Sequence, residues 1–160
     1  GLTLSTDVIV GYPTESESDF EETVKLVEEI KPDMINISRF FKRPGTPAEK
    51  LKPLDPREVK RRSRILSEVA REVALRNNER WIGWSGWAIV DEIGERGEAI
   101  ARNISYRPII VQGKRGEEVF GKLVEVEIES ARPYCLMARF KRVIEDREIS
   151  ESLMGELIET

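Results

Sequence analysis

Arg102, Tyr106, Arg107, Lys114, Arg115 and Lys122 bring five cations and a ring together in the second half of the chain. Such a set suits a folded polyanion, because cations grip phosphates while an aromatic face stacks on a base. A second set is Arg39-Phe40-Phe41-Lys42-Arg43-Pro44-Gly45-Thr46-Pro47. A guanidinium there can clamp a carboxylate or phosphate through two parallel hydrogen bonds. The plainer reading is a solvated salt bridge on a loop that Pro44 and Gly45 shape. A third set, Arg57, Lys60, Arg61, Arg62 and Arg64, either tracks phosphates or solubilises a helix.

The 160 residues include no His and a single Cys, Cys135. This excludes His-based acid–base chemistry, His–metal sites, an intrachain disulfide and a Cys-held iron–sulfur centre within the chain. Cys135 reads as a small buried hydrophobe. Apolar content of 39% and charge of 35% describe a soluble globular protein, with room for one medium domain or two small ones. No apolar run approaches the roughly 20 residues of a membrane span, and no leader pattern is visible. A cytoplasmic protein with no membrane partner is expected. The chain starts at Gly1, without Met and directly before a strand, so it reads as a fragment of a longer protein. Abundant Glu, Lys and Arg fit a thermophile.

Net charge is −4, but unevenly placed. Residues 1–38 carry 2 basic and 9 acidic side chains, and residues 39–78 carry 12 and 5. Residues 79–142 carry 11 and 10, and residues 143–160 carry 1 and 6. The basic middle is where a polyanion would dock, or else it is a solvated helix face.

These groups need elements to position them. Val8-Ile9-Val10 marks a strand over residues 3–11, apolar enough to read as buried on both faces. It ends in Gly11-Tyr12-Pro13. In α/β sheets and barrels, ligands sit at that carboxyl end. A helix over Ser18–Ile30 follows, capped by Ser16 or Ser18, with Glu21 placed as in a capping box. Phe20, Val24, Val27 and Ile30 share one face. Met34–Ile37 is a second strand, which makes a βαβ unit with parallel strands. After a proline-rich loop, Asp55 caps a long helix with Pro56 in its first turn. Val59, Leu66, Val69 or Ala70, and Val73 form its apolar stripe, and Asn77 and Asn78 sit near its end.

From Trp81 the pattern changes to short strands: Trp87–Glu92, Ala99–Ile104, Pro108–Val111, Lys122–Ile128 and Leu136–Phe140. Glycines and Arg132-Pro133 punctuate them. Five strands in this span suit a small antiparallel barrel of the oligonucleotide-binding kind. Trp81, Trp84 and Trp87 are either packing at a domain interface or base platforms. Ile149, Leu153 and Leu157 in the acidic tail suggest a short amphipathic helix.

The two halves together resemble the carboxyl-terminal part of radical-SAM methylthiotransferases. The family pattern is a strand ending Gly-Phe-Pro-Gly-Glu-Thr, an acidic helix, then a strand ending Arg-Pro-Gly-Thr. Gly11, Pro13 and Glu15 match it, as do Arg43, Pro44, Gly45 and Thr46. Tyr12, Thr14 and Ser16 depart from it. Thr14, with Arg102-Asn103-Ile104-Ser105-Tyr106-Arg107-Pro108, looks more like the archaeal and eukaryotic branch. That branch acts on threonylcarbamoyladenosine beside the anticodon of tRNA. Residues 1–78 thus resemble the end of a partial TIM-like radical-SAM barrel in βαβα order. Residues 79–142 resemble a TRAM domain, an RNA-binding module, and 143–160 form the acidic tail.

The resemblance implies S-adenosylmethionine and two 4Fe–4S clusters in the full-length parent, with none bound to this fragment. It implies a tRNA anticodon arm and the missing amino-terminal domains as partners, and no catalytic residue in this chain. Ile9 and Gly11 would line the adenine, although Gly11 can equally serve only the turn. Arg39 and Arg43 would face the same cofactor. Glu15 reads as a carboxylate at a helix amino terminus. The RNA grip would fall to Arg102, Tyr106, Arg107, Lys114, Arg115 and Lys122. Two rivals stand beside this reading: a ribosomal-protein methylthiotransferase, and a stand-alone RNA-binding module without catalysis.

Overall fold

Strands β1 (Ser5–Val10) and β2 (Met34–Arg39) run parallel, with Val8 opposite Ile37 and Asp7 opposite Asn36. They open the computed structural model, which describes residues 2–145 in two units, Leu2–Asn77 and the part from Asn78. The helix expected around Ile149, Leu153 and Leu157 lies outside the described residues.

In the first unit, helix α1 (Glu17–Ile30) joins the two strands. Its cap is Ser16, whose Oγ accepts from Asp19 N–H at 3.1 Å while Asp19 Oδ2 accepts from Ser16 N–H at 2.8 Å. This is a capping box two residues earlier than Ser18 and Glu21 suggest. Helix α2 (Pro56–Glu79) follows a 3₁₀ turn at Pro47–Lys50. Asp55 Oδ1 accepts from Arg57 N–H at 2.7 Å and holds its start. Val8, Val10, Ile35 and Ile37 pack with Phe20 and Val27 of α1 and Leu66 and Val73 of α2.

The expectation that β1 is buried on both faces is corrected. Side chains alternate along a strand, and both helices contribute to one packed cluster. Ile9 therefore stands 59% exposed on the other face, where Asn36 Nδ2 donates to Asp7 Oδ1 at 2.9 Å.

Arg62 holds this unit's helices to the first turn. Its guanidinium donates to Glu15 Oε2 at 2.8 Å, Glu17 Oε2 at 3.0 Å and Glu58 Oε1 at 2.7 Å, and to the Glu15 and Ser16 carbonyls. Arg61 adds bonds to Glu17 and Glu58. The bonds from Arg61 and then Arg62 hold the Glu58 carboxyl down at about 2, from an ordinary 4.5. A carboxylate favoured this way stabilises the fold above its unfolded value and stops doing so as pH falls through its folded value. Stability should therefore drop between about pH 4.5 and about pH 2. Urea melts followed by far-UV circular dichroism should show a shallower drop for Glu58→Gln. An unchanged acid profile would refute this.

The second unit is a closed barrel in the order β3-β4-β5-β7-β6, sealed by pairing of β6 with β3. Its strands are β3 (Ser85–Ile93), β4 (Glu98–Asn103), β5 (Pro108–Arg115), β6 (Leu123–Arg132) and β7 (Cys135–Val143). Ala88, Val90, Ala99, Ala101, Ile109, Val124, Val126 and Leu136 point inward. A short helix, α3 (Gly116–Val119), which the sequence reading did not include, buries Val119 against this core. The all-antiparallel barrel is corrected as well: β5 and β7 run parallel. Five strands cannot alternate direction around a closed ring, so one parallel pair is unavoidable.

Candidate nucleic-acid interface

Alternation along β3 turns Ala88 and Val90 into the core and Trp87 and Ile89 outward. On the antiparallel neighbour β4, Arg102 lies opposite Ile89. The chain then leaves β4 through a loop, Asn103–Arg107, that exposes Ile104 and Tyr106. Trp87, Ile89, Arg102 and Ile104 border an open groove of about 590 Å³. Trp84 lies across Gly86 at its floor, so closely that a Cβ at position 86 would run into the indole.

The loop is held by one side chain. Asn103 Oδ1 accepts from Ser105 N–H at 3.1 Å and Arg107 N–H at 3.0 Å. Tyr106 takes a φ of 58°, left-handed backbone that a residue with a Cβ adopts only under constraint.

The six residues of the expected grip fall in different places. Arg102 Nε lies 3.1 Å from Asp91 Oδ2, an ion pair without hydrogen-bond alignment, and its Nη2 donates to Glu92 at 3.2 Å. Its guanidinium also sits 5.1 Å from the centre of the Tyr106 ring. Arg107 is turned inward at 7% exposure, donates to Asn78 Oδ1 at 2.8 Å and packs over Trp81. That places it in the framework, away from solvent. Asn78 in turn donates to the Arg132 carbonyl at 2.8 Å. Lys114 pairs with Glu118 at 3.2 Å, and Lys122 Nζ donates to the Glu118 carbonyl at 3.0 Å. Arg115 is exposed and forms no ion pair among the described residues. Lys114, Arg115 and Lys122 thus gather at α3, while Arg102 borders the groove and Tyr106 lies against Arg102.

The outer face of β6 and β7 is a ladder of opposite charges. Arg139 meets Glu127 at 2.9 Å and Glu129 at 3.1 Å, Lys141 meets Glu127 at 3.2 Å, and Arg142 meets Glu125 at 2.8 Å. Hydrogen bonding and charge from Lys141 help hold the Glu127 carboxyl below its ordinary value. Much of the barrel's positive charge is therefore neutralised in place. The three tryptophans separate too. Trp81 and Trp84 make an edge-to-face pair at 5.5 Å against the barrel core, whereas Trp87 is partly free. Burial pushes the Cys135 thiol up.

In the first unit, Gly11 has a φ of 82°, and its N–H donates to Glu15 Oε2 at 2.9 Å. A Cβ there would come within 2.7 Å of both Val59 methyls, so close packing of α2 already requires the glycine. Glu15 is spent on Gly11 and Arg62. Arg39 closes β2 and Arg43 lies in the loop beyond; both are exposed, with no side-chain ion pair among the described residues. Lys42 Nζ donates to the Glu49 carbonyl at 2.9 Å, and Glu49 Oε2 accepts from Gly45 N–H at 2.8 Å, which tethers that loop. The basic run on α2 is largely paired: Arg61 and Arg62 in the network above, and Arg64 with Glu68 at 3.0 Å.

The TRAM domain family matches residues 88–141, which lie within the barrel unit. A probable threonylcarbamoyladenosine tRNA methylthiotransferase of Archaeoglobus fulgidus is 40% identical over 129 residues, 81% of this chain and 29% of the relative. The human threonylcarbamoyladenosine tRNA methylthiotransferase is 36% identical over 80% of this chain and 22% of its own length. A tRNA-2-methylthio-N(6)-dimethylallyladenosine synthase of Dictyoglomus thermophilum is 33% identical over 88% and 32%. The chain belongs to the methylthiotransferase family. It corresponds to the carboxyl-terminal, TRAM-bearing part of a methylthiotransferase and spans less than a third of the length of these relatives. The sequence reading of the RNA grip did not include Ile89 and Ile104, and left Trp87 undecided. The signal for them is alternation: Trp87 and Ile89 flank the small residue Ala88, as expected for one outward face of a strand.

Proposed function

We propose that this chain is the RNA-gripping carboxyl-terminal part of a methylthiotransferase. The full-length enzyme adds a methylthio group to threonylcarbamoyladenosine next to the anticodon of tRNA. The observation that carries this reading is the TRAM match on a closed barrel that exposes Trp87 on its outer face and Ile104 and Tyr106 on the loop after β4, with the half-buried Arg102 beside them. Lys114, Arg115 and Lys122 at α3 supply the cations that meet the RNA backbone, and the anticodon arm is the partner. A protein substrate has no specific observation in its favour.

The groups implied for the full-length enzyme fit this chain unequally. The chain has no ligand set for an iron–sulfur cluster, since it holds one Cys and no His. For S-adenosylmethionine, Ile9 offers an apolar side chain on the open sheet face, and Arg39 and Arg43 offer exposed guanidinium groups suited to its carboxylate. Gly11 is accounted for by Val59. S-adenosylmethionine supplies the radical and the methyl group when bound to such enzymes; this chain's own residues contribute binding and orientation only.

The test is a titration of the chain with a labelled tRNA anticodon arm against an unrelated RNA hairpin, at low and moderate salt. Preferential binding of the arm is expected. Its salt slope should be shallower than the barrel's cation count suggests, because Arg102, Lys114, Arg139, Lys141 and Arg142 are paired with carboxylates before RNA arrives. Equal binding of both RNAs would remove the tRNA assignment.

A further inference from the structure

The groove between β3 and β4 has properties that phosphate binding does not explain. Trp87 is 38% exposed, Ile104 96% and Tyr106 66%. Large side chains this exposed on one patch mark a contact surface. The loop that carries two of them is built to keep them outside: Asn103 ties both ends of it, and Tyr106 accepts left-handed backbone.

Its polar groups are of both signs. Arg102 stands at the edge, but Asp91 and Glu92 already engage it. Two carboxylates beside one guanidinium repel a phosphate. They suit a group with donors of its own, as an exocyclic amine has. Asn103 lines the groove and is 5% exposed as a residue. Its Oδ1 is committed to the loop, while its buried Nδ2 has no acceptor among the described residues. A flat apolar face, donors and acceptors along one edge, and no formal charge are together the description of a nucleobase.

We propose that this groove takes a single unpaired nucleobase, stacked against Trp87 and bordered by Ile89 and Ile104. Its polar edge would face Arg102 and Asn103, which line the groove, with Asp91 and Glu92 paired to Arg102 beside it. The inference rests on the RNA-binding reading of the barrel and deepens it. A base inside a duplex has its faces covered by neighbours, so only a loop, bulge or end can supply the occupant. Stacking on one aromatic side chain is worth about a tenfold change in affinity.

The experiment uses the full chain and two labelled RNAs. One is a hairpin with 2-aminopurine in its unpaired loop; the other is the same stem annealed as a complete duplex. Binding is read by anisotropy and base stacking by quenching of 2-aminopurine fluorescence. The hairpin should bind more tightly than the duplex, with quenching. Trp87→Ala should weaken hairpin binding about tenfold, remove the quenching and leave the salt slope unchanged, because no phosphate contact is lost. Trp87→Phe should retain most of the affinity, which separates loss of stacking from loss of fold. Binding of both RNAs equally, with no effect of Trp87→Ala, would overturn the inference while leaving the RNA reading intact, and would reassign the groove to a protein segment. Binding of neither RNA would overturn both.

Discussion

Replacing Arg62 by Met should destabilise the Leu2–Asn77 unit by about 4 kcal/mol, the range for removing one partner of a buried ion pair. The Arg62 side chain is 5% exposed and Glu15 is 11% exposed. Without the guanidinium, Glu15 stays buried, with only the Gly11 N–H to offset its charge. The Glu15 and Ser16 carbonyls lose a donor at the same time. Met fills much of the volume over Phe20, where the guanidinium now sits 5.5 Å from the ring centre, so the loss is chiefly electrostatic. All three tryptophans lie in the other unit. Urea melts read by far-UV circular dichroism should therefore shift to lower denaturant. A combined Arg62→Met and Glu15→Gln variant should recover part of the loss, because the charge stranded by the first change is gone. A single substitution with an unshifted midpoint would show that the network contributes nothing net.

Asn103→Ala should cost the barrel about 3 kcal/mol. The Ser105 and Arg107 N–H groups lie in buried residues and lose their shared acceptor, and each unsatisfied buried donor costs roughly 1–3 kcal/mol. The left-handed turn at Tyr106 keeps its backbone bond to the Asn103 carbonyl but loses the two side-chain bonds around it, so Ile104 and Tyr106 are held less firmly beside the groove. Tryptophan fluorescence melts should report the stability loss. RNA titration at temperatures where the variant remains folded should report weaker binding as well. Asn103→Asp keeps an acceptor for both N–H groups and should preserve the loop better than Ala. If Ala and Asp variants were equally stable, Oδ1 would not be what holds the loop.

Local periodicity made several elements legible. Three consecutive β-branched residues at 8–10 gave β1 its place, and the apolar stripe of α2 put Leu66 and Val73 in the core. The barrel strands followed from short apolar alternations between glycines. The family resemblance rested on short motifs that the chain carries in order, Gly11 to Glu15, Arg43 to Thr46 and Arg102 to Pro108. Each of these features is written in neighbouring residues, so a one-dimensional reading reaches it.

Where the reading fell short, the deciding partner was distant in sequence. Arg62 is one of five cations in a run, and only contact with Glu15 and Glu17 across 45 or more residues makes it a buried framework group. Arg107 has the same composition and neighbours as a nucleic-acid contact, yet Asn78, 29 residues earlier, draws it inward. The parallel pairing of β5 and β7 follows from closing an odd ring, which no strand pattern encodes. Trp81, Trp84 and Trp87 are evenly spaced, and only the start of β3 between them sends two against the core and one outward. The sequence by itself determined the elements, the family and the supply of cations and rings, because these depend on local spacing and composition. Which cations remain free, and which ring faces solvent, was decided by tertiary structure alone. Charge pairing and burial are properties of atoms brought together by folding.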